Sequence, residues 1–154
     1  MTGRTAITGL TKEELESKIL ELGQPKYRAG QVLDWVYSKR VKRFSEMSNL
    51  PEDLRTNLEN QYIINPLSPV KDERSTDTTR KYLYQLNDGR YIETVIIPAS
   101  IGQQGKRSDR NTLCVSSQVG CAYGCKFCAS GLDGFTRNLE AAEITGQILA
   151  VEEE

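Results

Sequence analysis

The chain has 154 residues, 38% of them hydrophobic and 27% charged, with a formal net charge of −1 at pH 7. This composition permits a packed core and excludes wholesale disorder, and the near-neutral balance confines any nucleic-acid contact to a local patch. No apolar run is long enough to cross a bilayer and Met1–Leu10 lacks a signal-peptide pattern, so a soluble, cytoplasmic protein is expected.

Residues 1–10 are small and polar and read as a mobile leader. Thr11-Lys-Glu-Glu14 has the form of a capping box, with Leu15, Ile19 and Leu22 following at helical spacing before Gly23 stops the run. A second helix is predicted from about Tyr27 to Arg40, with Val32, Trp35 and Val36 on its core face. A third starts near Pro51 and carries Leu54 and Leu58. These helices define a module over 1–65, and Pro66 and Pro69 mark a linker. From Arg80 the period becomes extended: Lys81–Leu86 and Arg90–Ile97 flank Asn87-Asp88-Gly89, which is hairpin chemistry. Linker and hairpin fill 66–110, with Ala99–Asp109 an exposed loop.

Over 111–154, Thr112–Ser116 reads as a short strand, a cysteine loop follows, and Asn138 caps a last helix with Ala141, Ile144, Ile148 and Val151 on one stripe. One strand–loop–helix unit cannot bury its own apolar faces, so the chain reads as part of a larger fold. The expected class is mixed α+β passing into α/β.

All four cysteines lie between Cys114 and Cys128, and there is no histidine. Imidazole bases and Cys/His zinc sites are thereby excluded, and cysteines so close together staple nothing as disulfides. Cys121, Cys125 and Cys128 have the spacing C-x3-C-x2-C. Three thiolates from one loop hold three corners of a 4Fe–4S cube and leave the fourth iron open to the amino and carboxylate groups of S-adenosylmethionine. A four-thiolate zinc site recruiting Cys114 is the alternative, although only one C-x2-C pair exists to build it.

The run Thr112-Leu-Cys-Val-Ser-Ser-Gln-Val-Gly-Cys-Ala-Tyr-Gly-Cys-Lys-Phe-Cys-Ala-Ser-Gly131, followed by Gly134-Phe-Thr-Arg-Asn-Leu139, resembles the RlmN family of radical S-adenosylmethionine RNA methyltransferases. The similarity extends through Tyr91–Pro98, Tyr27–Tyr37 and Phe44–Pro51, so nearly the whole chain is similar to the N-terminal part of that family. The resemblance implies a helical accessory domain, a hairpin and the first βα unit of a partial (β/α) barrel. It implies methylation of adenine carbon 2 in 23S rRNA and tRNA through a methylcysteine. The related Cfr-type enzymes, which methylate carbon 8, are an alternative, as is a free-standing iron–sulfur or RNA-binding module.

Residue by residue, the resemblance puts the cluster ligands on Cys121, Cys125 and Cys128 and an adenine-side aromatic of the cofactor on Phe127. Cys114 matches the cysteine that resolves the protein–RNA adduct as a disulfide, and Glu93 matches the proton acceptor. With no histidine in the chain, a carboxylate is the natural base. The basic cluster Lys26, Arg28, Lys39, Arg40, Lys42 and Arg43 is the candidate RNA contact, with Lys106, Arg107 and Arg110 as candidate additions. A monomer served by an electron donor such as flavodoxin is implied. Two family features lie outside this sequence: the methyl-carrying cysteine, since none follows Cys128, and the Gly-Gly-Glu-Pro-type segment that binds the S-adenosylmethionine amino group. The chain alone is therefore expected to be inactive.

Overall fold

The structure is a computed structural model and describes residues 4–99 and 110–152. Lys106 and Arg107 lie outside the described residues. The fold is mixed helix and sheet, in two compact units: 4–66 together with 140–152, and 67–139.

In the first unit, helix α1 (Lys12–Glu21) opens with both bonds of the capping box. The Glu14 N–H donates to Thr11 Oγ1 at 3.2 Å and the Thr11 N–H to Glu14 Oε2 at 2.7 Å. It closes on Gly23 at φ +72°, where Gln24 N–H reaches Ile19 O and Gly23 N–H reaches Leu20 O, a glycine-dependent left-handed stop. Helix α2 (Tyr27–Tyr37) ends three residues before the predicted Arg40, which itself adopts φ +55°. Helix α3 (Glu52–Gln61) begins after Pro51. Leu15, Ile19, Ala29, Val32, Val36, Leu54 and Leu58 form the centre of one core. Trp35 packs at its margin, its indole N–H donating to Asn49 Oδ1.

Within the predicted leader, Ile7 instead joins this core and Leu10 packs against it. Thr5–Ala6 (β1) pairs in parallel with Tyr62–Ile63 (β2), and Ile7 is 1% exposed. Burial of Ile7 against distant residues outweighs the local polarity that suggested mobility.

The last helix, α4 (Ala141–Glu152), belongs to the same unit, and Leu149 joins the core. Its first turn is closed at Glu140, whose N–H donates to the Glu143 carboxylate at 2.8 Å; Asn138 lies in a strand. The predicted stripe is not the face that meets this core, and its Ile144 and Val151 are half-buried. Ala142, Gly146 and Leu149 face inward, while Ala141 and Ile148 are exposed. An added Cβ on Gly9 would stand 3.3 Å from the Ala142 Cβ, so this contact needs small residues. No helix among the described residues is long and apolar enough to cross a membrane.

The second unit holds a four-stranded antiparallel sheet ordered β3 (Ser68–Arg74), β4 (Arg80–Gln85), β5 (Tyr91–Pro98) and β6 (Asn111–Val115). The segment after Pro66 is thus a strand where the sequence predicts a linker. Pro69 is tolerated because β3 is an edge and its register slips between Pro69 and Lys71. The β4–β5 turn runs through Gly89 at φ +83°. Tyr82, Tyr84, Ile92 and Thr94 are on the buried side. The strand before the cysteines, β6, is hydrogen-bonded antiparallel to β5. A second pair, β7 (Gln118–Gly120) and β8 (Phe135–Asn138), is antiparallel and forms the stem of the cysteine loop.

Candidate functional site

The stem depends on a close backbone approach. Gly120 has φ +73°, and an added Cβ would lie 1.9 Å from Gly134 O. Free of that obstacle, the Cys121 N–H donates to Gly134 O at 3.1 Å, which fixes the first cysteine at the loop entrance. Gly124 supplies another left-handed residue at φ +57°. Cys128 N–H then bonds Cys125 O at 3.0 Å, so the last two cysteines sit across one tight turn. All four cysteines are free thiols, with Cys114 exposed and the other three half-buried.

No three His, Cys, Asp or Glu side chains among the described residues are gathered closely enough to grip a single ion. A single zinc draws its sulfurs to about 2.3 Å from one centre, whereas a cube takes each thiolate at a different corner. The donor set of three thiolates on one loop suits the second arrangement.

Strand pairing decides which other predicted residues meet. Val95 is opposite Cys114, and side chains two apart on a strand share a face, so Glu93 and Cys114 are diagonal neighbours on one side of the sheet. Ser116 Oγ donates to Glu93 O at 2.7 Å, which holds the chain leaving β6 against β5. Glu93 and Cys121 line one open cavity of about 630 Å³, with Leu83, Tyr91, Ser117, Gln118 and Asp133 among its other walls. Phe127 is 93% exposed, as is Tyr123 at 90%, so the loop displays apolar surface.

Lys26 and Arg28 are at the start of α2, and Lys39, Arg40, Lys42 and Arg43 follow its end. Arg28 is committed locally, donating to Gln31 Oε1 and Asn49 O and stacking over Tyr27. Lys39 lies 3.6 Å from the Trp35 ring centroid and 3.5 Å from Asp34. Arg43 lines a separate cavity of about 360 Å³ with Ser45, Arg55 and Glu59.

Two features are not apparent in the sequence. Lys81 Nζ sits 3.1 Å from Glu93 Oε1 and 3.4 Å from Glu73 Oε2, and these carboxylates, Glu93 foremost, raise its pKa above the usual lysine value. Asp88, in the β4–β5 turn, accepts from Arg137 Nε at 2.9 Å and from the Arg90 N–H at 3.1 Å, while Arg90 reaches Thr136 Oγ1 at 3.2 Å. The turn thereby clamps β8, the strand leaving the cysteine loop. Counting register outward from Asn87-Asp88-Gly89 would have put Lys81 on the face of Glu93; no local signal announces the Arg137 contact.

The overall likeness is to a radical S-adenosylmethionine methyltransferase: a crystal structure of one from Sphaerobacter thermophilus superposes with a TM-score of 0.85 at 40% identity, covering 97% of this chain and 42% of that one. Residues 5–64 match the family model described as the ribosomal RNA large subunit methyltransferase N-terminal domain. Proteins named probable dual-specificity RNA methyltransferase RlmN are similar to it: 51% identical in Akkermansia muciniphila, over 95% of this chain and 41% of that protein, and 45% in Bacillus thuringiensis subsp. konkukian, over 98% and 40%. The chain is similar to the N-terminal part of RlmN-family proteins, with that family's N-terminal domain matched over residues 5–64, and spans about two fifths of the length of the curated relatives it matches.

Proposed function

We propose that this chain is the cluster-binding and proton-accepting portion of an enzyme that methylates carbon 2 of adenine in 23S rRNA and tRNA. One observation carries the reading: Glu93 and the first cysteine of the C-x3-C-x2-C loop line the same cavity, with Cys114 on the same sheet face as Glu93. Cys121, Cys125 and Cys128 would hold a 4Fe–4S cluster, and Phe127 would flank the adenine of S-adenosylmethionine. When bound, cluster and cofactor would supply radical chemistry, a route to a carbon whose C–H bond offers no nucleophile.

Glu93 receives the proton lost from the substrate carbon, the C–H electron pair staying with the ring. The Cys114 thiolate would form an S–S bond to the methyl-carrying cysteine, breaking the bond joining that sulfur to the RNA-linked carbon. That bond's electron pair stays with the carbon, which takes up a proton to become the methyl group, and the odd electron of the radical adduct would return to the cluster. Because no cysteine follows Cys128, the chain by itself does not turn over. The helical unit contacts RNA phosphates through its basic residues, the reductant is a flavodoxin-type donor, and the enzyme works as a monomer with the remaining barrel strands.

Anaerobic reconstitution of this chain tests the cluster. Iron and sulfide should bind, and the 4Fe–4S signal should vanish when Cys121, Cys125 and Cys128 are changed to alanine but persist in Cys114→Ala. Stoichiometric zinc in place of iron sinks the reading. Joined to the remainder of the Sphaerobacter thermophilus methyltransferase, the chain should place a methyl on adenine carbon 2, located by mass spectrometry; a carbon-8 product would transfer it to the Cfr-type chemistry. In that fusion Cys114→Ala should accumulate a protein–RNA adduct.

A further inference from the structure

We propose that Lys81 is a positioning residue for Glu93, holding its carboxylate over the cavity through an ion pair that Glu73 braces from the other side. This rests on the reading of Glu93 as the proton acceptor. Three observations carry it. First, the register pairs Leu83 with Glu93 and Lys81 with Val95, so Lys81 lies diagonally across from Glu93 on the same sheet face. Second, the ammonium stands between two carboxylates, 3.1 Å from Glu93 and 3.4 Å from Glu73, and Glu73 is in turn bonded to Lys71. A row of alternating charges thus crosses three strands and ends at the cavity. Third, the Glu93 side chain is 54% exposed, so solvent alone would leave its rotamers free; the ammonium is the charged group seen to restrain its carboxylate.

Exposed ion pairs contribute little to stability, so a stabilising role is a weak reason for this arrangement. Orientation is a stronger one, since small displacements of a reacting group cost large factors in rate. Lys81 is not itself the base. Flanked by two carboxylates, it remains an ammonium with no acceptor lone pair. When Glu93 takes the proton and loses its charge, the ammonium keeps Glu73, which it shares with Lys71, as its carboxylate partner.

Two measurements test this. In this chain, carbon-13 relaxation of the Glu93 side chain should report an ordered γ-carbon, Lys81→Met should release it to the mobility of a free surface carboxylate, and Lys81→Arg should retain its order. Equal mobility in all three overturns the proposal. In the active fusion described above, Lys81→Met should lower kcat about tenfold with KM for RNA within about twofold of the parent, and Lys81→Arg should restore most of it. In a Glu93→Gln background, Lys81→Met should add no further loss. A loss confined to KM makes Lys81 a phosphate contact and overturns the proposal. If Glu93→Gln alone turns over normally, the reading of Glu93 fails; if it is inactive while Lys81→Met keeps full kcat, only the role of Lys81 fails.

Discussion

Asp88 shows how a single side chain ties the hairpin to the cysteine loop. Partial burial pushes its carboxyl upward, but the Arg137 hydrogen bond, the Arg90 N–H and the two guanidinium charges outweigh this and hold it below the usual aspartate range. A depressed folded-state value means the clamp stabilises the fold above the ordinary aspartate pKa and is lost as pH falls through the lower folded value. The side chain is 37% exposed, so solvent screening keeps the effect small. Acid unfolding of the chain, compared with Asp88→Asn, should show the variant less stable at neutral pH and the difference closing below about pH 4. At the other end of the chain, Thr11→Ala removes one bond of the capping box and should cost about 1 kcal/mol in urea unfolding. That box is legible in four consecutive residues because both its bonds join Thr11 to Glu14. The Asp88–Arg137 bond is not, because 49 residues separate the partners.

At the scale of elements, the β7–β8 stem and α4 make contrasting cases. Gly120→Ala forces a Cβ into Gly134 O at a backbone angle that disfavours side chains, so the stem should part and iron uptake by the loop should fall severely. Gly89→Ala, in the β4–β5 turn with nothing within 4 Å of its added Cβ, is the control for backbone strain alone. Spacing reveals the cysteines, and their number on one loop narrows the chemistry. The stem itself is invisible in sequence because each of its strands is too short to show a two-residue period. For α4 the hydrophobic period is visible but the inward face is not, since alanine, glycine and isoleucine alternate around the helix. Leu149→Ala should cost about 2–5 kcal/mol by opening a cavity in the core. Ile148→Ala, on the exposed side, should change stability by about 0.5 kcal/mol or less. Equal effects of the two would contradict the observed phase.

At the scale of the whole molecule, the first compact unit is discontinuous in sequence, built from 4–66 and 140–152. Removing 140–154 should therefore lower the thermal stability of the helical unit, although every residue of α1, α2 and α3 is retained. What the sequence by itself determined is what short-range physics decides: the cap and glycine stop of α1, the core stripes of three helices, the hairpin turn, and three cysteines on one loop at C-x3-C-x2-C spacing. These rest on neighbours within about four residues, where dihedral preference and periodicity act directly. Tertiary structure alone decided that Ile7 is core, that β3 is a strand and that β6 completes an antiparallel sheet. It alone brought Glu93, paired with Lys81, to the cavity that Cys121 also lines. Each of those depends on which distant surface a segment buries against, and burial energy is a property of the partner as much as of the segment.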